Sequence, residues 1–326
     1  MDNLTHTLAG VLLARAGLRR LSPQATVLCV VAANIPDIDI FTATSAIDYL
    51  NYHRHLTHSL PAVPLMACLT LGFVALGWRV FRRRGDVSWG RAWLVAFAAA
   101  LTHPLLDLAN TYGVRLWLPF SDRWTSWDVL FVADLWVWTI LGIAVLAPML
   151  MKLVQAEIGV RETRGQFAAR AGLVVLVAFI GAKAVLHQRA VALMDAFEYD
   201  GQPAVRVAAF PLPLGWNPFG WVGFIETEQY YQTPDLDLLL RNYDPTSGPR
   251  FYKQTKGRAL DAALASSVGS DYARFARYRF AQVQPAGDGY VVEMTDFRFR
   301  GPGRVGFRCT VELDSQYRVT GQEFSF

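Results

Sequence analysis

The chain has few cysteines. Only three occur among its 326 residues. Cys29 and Cys68 fall inside apolar stretches and Cys309 stands alone in the C-terminal part, so their spacing supports neither a disulfide framework nor a Cys-x-x-Cys metal pair. Any bound metal ion must therefore be held by histidine and carboxylate side chains.

Common catalytic signatures are also missing. The chain contains no Walker A sequence, no His-Glu-x-x-His and no dinucleotide fingerprint, which removes the usual support for an ATPase, a zincin or a dehydrogenase. No Gly-x-Ser-x-Gly elbow surrounds Ser59, which argues against that residue as a nucleophile. The first ten residues lack the basic region and cleavage pattern of a secretory signal, so we expect the first helix to stay in the mature protein.

Charge is scarce as well, and apolar residues dominate. Charged residues make up 18% of the chain and apolar residues 53%, a balance typical of a membrane protein. Long apolar runs predict four transmembrane helices, and two shorter runs ahead of them predict a helical hairpin. The predicted helices are 61–78, 92–111, 129–151 and 171–188, after a hairpin of 4–18 and 23–36.

The basic residues are distributed as membrane topology requires, so the net charge of +4 does not indicate a nucleic-acid partner. If the chain crosses the bilayer at each predicted helix, one set of connections holds 12 basic residues and the opposite loops hold 3. The rich set is Arg15, Arg19, Arg20, Arg79, Arg82, Arg83, Arg84, Arg91, Lys152, Arg161, Arg164 and Arg170; the sparse set is Arg54, Arg115 and Arg123. The rich side is then cytoplasmic, and the part after about residue 190 is extracytoplasmic.

This orientation, fitted to lysine and arginine alone, gathers the metal-binding residue types at the outer boundary. Five of the six histidines fall there, together with five aspartates. They are His6, His53, His55, His58, His103, Asp37, Asp39, Asp107, Asp128 and Asp134. His187, beside Lys183 and Arg189, is instead interpreted as an interfacial anchor.

Three local patterns strengthen this picture. His103 and Asp107 are four apart, so on a helix they share a face, and Pro104 between them predicts a kink or a fresh helix start. Asp37 and Asp39 follow a helix-ending Pro36 and are expected to offer oxygen ligands from an extended turn. A third segment, 53–59, places three imidazoles and Arg54 just before a membrane helix, where intramembrane ionisable groups are usually functional.

Together these motifs resemble the YdjM/YbcI-type membrane-bound metal-dependent hydrolases, over roughly residues 1–150. The resemblance rests on Thr5-His6, Pro36-Asp37-Ile38-Asp39, His53-Arg54 with Thr57-His58-Ser59, and Thr102-His103-Pro104 with Asp107. It implies a multi-pass protein of the bacterial inner membrane and metal-dependent hydrolysis. It also implies a ligand set of His6, Asp37, Asp39, His53, His58, His103 and Asp107. His55 departs from the family pattern, in which glycine is common there, and is left out.

Four histidines and three carboxylates exceed what one tetrahedral ion uses, so we expect two or more divalent ions, Zn²⁺ first and Mn²⁺ as the alternative. Asp39 or Asp134 is the predicted general base, and Arg54 is expected to hold developing negative charge. The position at a membrane boundary favours a phosphoester or a lipid-linked substrate. A divalent-metal transporter and a non-catalytic membrane sensor with a structural metal stay open as alternatives.

Beyond residue 190 no apolar span occurs, and the pattern changes. Alternation at 307–313 and at 297–300 predicts strands, 257–280 reads as a helix, and the Pro/Gly-broken aromatic stretch 211–221 suits the membrane interface or a loop over the site. The predicted fold class is therefore mainly α: a polytopic transmembrane helical bundle at 1–189 that carries the metal site, with a C-terminal extracytoplasmic α+β domain at 190–326.

Overall fold

The computed structural model describes residues 1–80, 87–158, 165–240, 243–254, 257–301 and 304–326. These residues form two compact units. The first contains Met1–Ile38, Arg54–His187 and Pro211–Pro218, and the second contains Asp39–His53, Gln188–Phe210 and Phe219–Phe326. The basic residues Arg82, Arg83, Arg84, Arg161 and Arg164, which contributed to the predicted orientation, lie outside the described residues.

Nine α-helices are described, and the first unit holds most of the long ones. They are α1 Asn3–Ala16, α2 Ala25–Asn34, α3 Ala46–Tyr52, α4 Val63–Val80, α5 Trp89–Ala109, α6 Leu135–Ile158, α7 Gln166–Asp195, α8 Arg258–Ala265 and α9 Ser267–Phe275. Short 3-10 helices occupy Leu18–Arg20, Ile35–Thr42, Leu56–His58, Leu60–Ala62, Pro213–Gly215 and Phe297–Phe299.

In the described part of the chain, five helical segments are long and apolar enough to cross a membrane. They are Ala25–Thr42, Leu60–Val80, Trp89–Ala109, Leu135–Lys152 and Gln166–Asp195. The predicted spans 61–78 and 171–188 lie inside two of them, and the predicted 92–111 helix matches α5 apart from its ends. The 14-residue α1 is shorter than a bilayer span, and it packs against α2 and α6.

Small residues allow the helices of the first unit to approach closely. α2, α4 and α5 share a core in which Ala32, Ala96 and Ala99 are fully buried. α1 approaches α2 at Gly10, where an added Cβ would lie 2.7 Å from the backbone oxygen of Cys29. In membrane helices such packing replaces the hydrophobic drive that water supplies elsewhere, and it brings the N-terminal end of α1 to the C-terminal end of α2.

Two predictions for the first unit were wrong in detail. The carboxylates after Pro36 do not extend from an open turn, because α2 passes directly into the 3-10 helix Ile35–Thr42. The predicted 129–151 span does not begin at 129, because α6 begins at Leu135 with the Asp134 side chain accepting hydrogen bonds from the Trp136 and Val137 amides. Residues 110–134 form an ordered irregular connection instead, and α5 continues through Pro104 to Ala109.

The second unit is built on antiparallel sheets. The strands are β1 Glu198–Tyr199, β2 Gln202–Pro203, β3 Arg206–Pro211, β4 Gly220–Glu226, β5 Tyr230–Gln232, β6 Asp235–Asp237, β7 Arg250–Tyr252, β8 Arg279–Ala286, β9 Gly289–Asp296, β10 Arg300–Gly301, β11 Arg304–Val305, β12 Arg308–Leu313 and β13 Val319–Ser325. One sheet has the order β13-β12-β9-β8, and a second has β3-β4-β5-β7 with β6 paired to β4. Helices α8 and α9 contact the four-stranded sheet.

The predicted strand near 307–313 is confirmed as β12, with Cys309, Val311 and Leu313 buried. Burial raises the pKa of the Cys309 thiol to about 12, which makes it an inert core side chain. The single helix expected over 257–280 is instead two helices, because Ser266 breaks the first and caps the second.

The prediction of a strand at 297–300 was also wrong. Phe297–Phe299 is a 3-10 turn that the Asp296 side chain caps by accepting a hydrogen bond from the Arg298 amide. A short polar side chain here competes with the strand ladder for the backbone.

An early segment of the chain also belongs to the second unit. Within Asp39–His53, α3 packs against α9 and β13. Tyr49 meets Phe326 edge to face with ring centroids 5.1 Å apart, and Asn51 donates a hydrogen bond of 2.6 Å to Asp271. The chain therefore contributes to the second unit first at 39–53, long before the two later segments that begin at 188 and at 219.

Candidate metal centre

Four segments of the first unit bring their histidines and aspartates together. His6 is near the start of α1, Asp37 is in the 3-10 helix after α2, His58 ends the 3-10 turn at 56–58, and His103 and Asp107 lie in the last two turns of α5. All five side chains are buried. Thus residues separated by about a hundred positions in the sequence share one pocket of polar groups.

Four atoms of this cluster lie close enough to one another to contact a shared ion. His103 Nε2 lies 3.5 Å from Asp37 Oδ1 and 3.4 Å from Asp107 Oδ2, and His58 Nε2 lies 3.2 Å and 3.6 Å from the same two oxygens. Zinc bonds to nitrogen and oxygen of about 2.0–2.1 Å place tetrahedral ligands roughly 3.3–3.4 Å apart. We call these atoms of Asp37, His58, His103 and Asp107 the tetrahedral set.

The protonation of His103 follows from its second nitrogen. His103 Nδ1 lies 2.7 Å from the carbonyl oxygen of Ala33, and a carbonyl can only accept, so Nδ1 carries the proton. In the neutral imidazole, Nε2 then presents a lone pair toward two carboxylate oxygens. Neither Nε2 of His103 nor Oδ2 of Asp107 has a hydrogen-bond partner among the described residues. Three electron-rich atoms facing one another fit a cation between them.

His6 extends the cluster without belonging to the tetrahedral set. Its ring stacks on that of His103 with centroids 3.7 Å apart, and its Nε2 is 3.6 Å from Asp107 Oδ1, which the α-amino group of Met1 also contacts. Neither ring nitrogen of His6 has a hydrogen-bond partner in the part of the chain that the structure describes. His6, His103 and Asp107 form a second group of metal-binding size.

Arg54 is fixed beside this group in a constrained conformation. Its φ of 59° is in the left-handed region, which a non-glycine residue adopts at a cost, and its side chain is buried. The guanidinium lies 3.3 Å from Asp107 Oδ1, donates to Gly113 O at 3.2 Å and sits 4.6 Å above the Tyr112 ring. The predicted role of Arg54, to hold developing negative charge, stays a prediction.

Comparison with known proteins gives the chain a family. The family model described as YdjM inner membrane protein matches residues 1–190, which contain every side chain of this cluster. The chain belongs to the YdjM inner membrane protein family. A second model, the YfhP C-terminal alpha/beta plait domain, matches residues 258–325, the region of α8, α9 and the four-stranded sheet.

A relative that shares its name with the second model is the Bacillus subtilis (strain 168) "Uncharacterized protein YfhP". It is 28% identical over 145 residues, a match that covers 41% of this chain and 42% of that protein. The alignment thus spans less than half the length of the relative. No solved structure gives a significant match to the chain.

In this YdjM-family chain, Asn110 is a site residue that the sequence reasoning missed. Its side-chain oxygen accepts hydrogen bonds from Arg54 Nη1 at 3.0 Å, from the Tyr112 amide at 2.9 Å and from the Gly113 amide at 3.2 Å. Its Nδ2 donates to Asp107 Oδ1 at 3.4 Å. An amide three residues after a candidate metal-binding aspartate, at the end of a helix, is the sequence signal that points to this role.

Two other predicted site residues lie in the second unit. His53 Nδ1 and Asp39 Oδ1 form a hydrogen bond of 3.0 Å, and the His53 ring contacts Tyr49 with centroids 4.6 Å apart. The carboxylate thus has a partner that holds it in place. The predicted roles of Asp39 and His53 as ligands, and of Asp39 as a base, stay predictions.

Asp134 occupies a different setting from the tetrahedral set. Its Oδ1 caps α6, and a Cβ added to Gly215 would lie 2.3 Å from its Oδ2, so the segment Pro211–Pro218 closes directly over the carboxylate. Burial raises the pKa of the Asp134 carboxyl, which precedes the Leu135–Lys152 span. Lys183 donates to the Pro218 carbonyl at 2.9 Å. The general-base role of Asp134 stays a prediction.

Proposed function

We propose that this YdjM-family chain is a membrane-bound metal-dependent hydrolase that acts on a phosphoester or lipid-linked substrate at the outer face of the bacterial inner membrane. The observation that carries the proposal is the tetrahedral set, in which two imidazole nitrogens and two carboxylate oxygens converge at distances suited to one divalent ion. Burying two carboxylates beside neutral imidazoles costs free energy, which a bound cation would offset.

Asp37, His58, His103 and Asp107 would hold the ion, for which Zn²⁺ is the first choice and Mn²⁺ the second. When bound, a divalent ion supplies Lewis acidity and a water with a lowered pKa. His103 is oriented by the Ala33 carbonyl, and His58 Nδ1 lies 3.0 Å from the Thr57 hydroxyl oxygen. Such outer contacts fix the direction from which each imidazole approaches an ion.

Two side chains beside the tetrahedral set, those of His6 and Arg54, would not be needed to hold a purely structural ion. His6 offers ring nitrogens without hydrogen-bond partners among the described residues, and Arg54 presents a buried cation next to Asp107. A cation fixed there suits the negative charge that develops on a phosphoryl or acyl oxygen. In the proposal, Asp39 or Asp134 removes a proton from the attacking water.

The number of ions is limited by His103. Its Nε2 has a single lone pair and its Nδ1 proton is donated to Ala33, so it cannot serve both metal-sized groups at once. One ion in the tetrahedral set is therefore the minimum proposal. The second ion proposed from the sequence needs His6 and Asp107 Oδ1 together with other ligands.

Arginines at the opposite end of the helices support the placement of the site at the outer face. There, Arg20 donates to Gln166 at 3.1 Å and Arg170 donates to the Ala16 carbonyl at 2.8 Å, so the C-terminal end of α1 and the N-terminal end of α7 gather arginines. The metal-binding residues lie at the N-terminal end of α1. By the positive-inside rule, the arginine end is cytoplasmic and the site faces outward.

The proposal is tested with purified protein loaded with Zn²⁺ or Mn²⁺ and a panel of phosphoesters, phospholipids and lipid-linked phosphates. Wild type should cleave at least one class, and Asp107→Asn should lose metal and rate together because it removes one anionic ligand without changing shape. Full metal content and full hydrolysis in that variant would exclude the role of Asp107. Loaded wild type that cleaves nothing in the panel would remove the hydrolase proposal.

A sensor with a structural ion is the second candidate, and one observation favours it: the set supplies four protein atoms, the number that a closed structural zinc site uses. Cobalt substitution separates the two. In a hydrolase, inorganic phosphate should change the visible spectrum of the Co²⁺-loaded protein by entering the coordination sphere. In a closed structural site the spectrum should stay the same at any phosphate concentration.

A further inference from the structure

Residues 111–134, which we call the aromatic loop, join the membrane-spanning helices α5 and α6. The loop carries large side chains pointing away from the protein: Trp117 is 54% exposed, Phe120 83% and Trp127 50%. Together these three expose on the order of 300–400 Å² of aromatic surface, as large as the patches that mark interaction sites on soluble proteins. An exposed surface of this kind requires a partner.

The exposure is not the result of a loosely held loop. Val114 and Thr125 exchange two backbone hydrogen bonds of 2.9 Å, and the Leu60 amide donates to the Leu116 carbonyl at 2.9 Å. In the same loop, Val114, Leu116 and Trp124 are buried, so the loop has its own inner and outer faces. The three aromatic side chains are thus held outward by an ordered backbone.

The position of the loop in the chain identifies the partner. A connection between two membrane spans must lie at a bilayer boundary, where tryptophan is the preferred residue because its ring is apolar and its N–H is polar. The helices that flank the loop also expose apolar side chains near it in the sequence: Leu105 near the end of α5, and Leu135 and Trp136 at the start of α6. The aromatic loop therefore extends the lipid-facing surface of the helices.

We propose that the aromatic loop is a membrane-interface anchor, with Trp117, Phe120 and Trp127 seated among the lipid head groups of the leaflet beside the metal-binding end of α5. The partner is the phospholipid bilayer itself. The anchor does not depend on hydrolysis, so it stands or falls separately from the proposed function. A polar tip, Ser121-Asp122-Arg123, follows Phe120 and marks the water side of the loop.

Spin-label depth measurements test the anchor. In a Cys68→Ser background, where the other two cysteines are fully buried, single Phe120→Cys and Trp127→Cys variants carry a nitroxide, and Asp122→Cys is the matched control in the same loop. The full-length protein is placed in vesicles of phosphatidylethanolamine and phosphatidylglycerol. Collisions with oxygen and with a water-soluble nickel chelate report depth. Because Phe120 is so exposed, its replacement should leave the fold unchanged.

Labels at 120 and 127 should show a several-fold higher ratio of oxygen to nickel accessibility than the label at 122. Equal ratios at all three positions would overturn the anchor and place the loop in water. Strong spin–spin broadening at 120 that disappears on dilution with unlabelled protein would also overturn it, because a second copy of the chain would then cover the loop.

Discussion

The two carboxylate oxygens of Asp107 have different partners. Oδ2 faces His103 and His58 at 3.4 Å and 3.6 Å, whereas Oδ1 faces Arg54 at 3.3 Å and Asn110 at 3.4 Å. One oxygen is therefore free for an ion, and the other is held by protein donors. This division explains how a carboxylate can be a ligand while it remains next to a fixed arginine.

Substituting single histidines should distinguish the residues of the tetrahedral set from the neighbouring His6. We expect His58→Ala and His103→Ala to weaken Zn²⁺ binding by more than the roughly 10–100-fold that loss of an outer partner costs. His6→Ala should keep one ion per chain, because His6 is outside the set. Metal content and calorimetric affinity of the purified variants measure this. Equal losses in all three variants would contradict the assignment of one tetrahedral ion.

Asn110 should act on the ion through Arg54 and Asp107. Asn110→Ala is expected to lower Zn²⁺ affinity roughly 10–100-fold, because the guanidinium loses an acceptor and Asp107 loses a donor. In an Arg54→Gln background the same change should cost much less, since coupled residues are not additive. Ser121→Ala, on the exposed tip of the aromatic loop, is the control. Losses that simply add in the double variant would show that Asn110 acts through general folding instead.

At the scale of helices and strands, sequence patterns predicted what hydrophobicity alone decides. The interiors of α4, α5 and α7 and the alternation in β12 followed from apolar periodicity. The start of α6 did not, because the apolar run 129–133 continues the pattern although hydrogen bonds from Val129 and Leu130 to Ala109 keep it out of the helix. The membership of α3 in the second unit depends on contacts with α9 and β13 that lie more than two hundred residues away.

The α1–α2 contact makes a prediction at this scale. An alanine at Gly10 would place its Cβ against the Cys29 backbone, and α2 carries the Ala33 carbonyl that orients His103. We expect Gly10→Ala to lower stability by about 1–3 kcal/mol and to reduce metal affinity. Gly72→Ala in α4, where no atom lies within 4 Å of the added Cβ, is the matched control. Thermal unfolding in detergent and Zn²⁺ titration measure both effects, and a Gly10→Ala protein as stable as Gly72→Ala would contradict the close contact.

At the scale of the whole molecule, the candidate site could be predicted in outline because topology constrains it. Lysine and arginine counts placed His6, Asp37, His58, His103 and Asp107 at one boundary, and the structure brings their side chains into one cluster. What could not be predicted was which atoms pair, since the tautomer of His103 depends on a carbonyl seventy residues away. The role of Asn110 likewise depends on a loop conformation that has no periodicity.

Orientation in the membrane remains a prediction of the charge asymmetry. Cysteine labelling from each side should place positions near 50, 120 and 250 outside, and positions near 85 and 160, which lie outside the described residues, in the cytoplasm. Intact cells treated with a membrane-impermeant maleimide provide the measurement, and permeabilised cells are the control for accessibility. Labelling near position 50 only after permeabilisation would reverse the orientation and put the metal centre on the cytoplasmic face.

The order in which the chain is made has a consequence for the tetrahedral set. All four of its residues lie between Asp37 and Asp107, on segments that share the core of α2, α4 and α5. His6, by contrast, is on α1, whose Ala9 and Leu12 pack in a core with Val137 and Leu141 of α6. Every ligand of the set has therefore been synthesised once α5 has left the ribosome. An ion acquired during membrane insertion would be enclosed before α6, α7 and most of the second unit are synthesised.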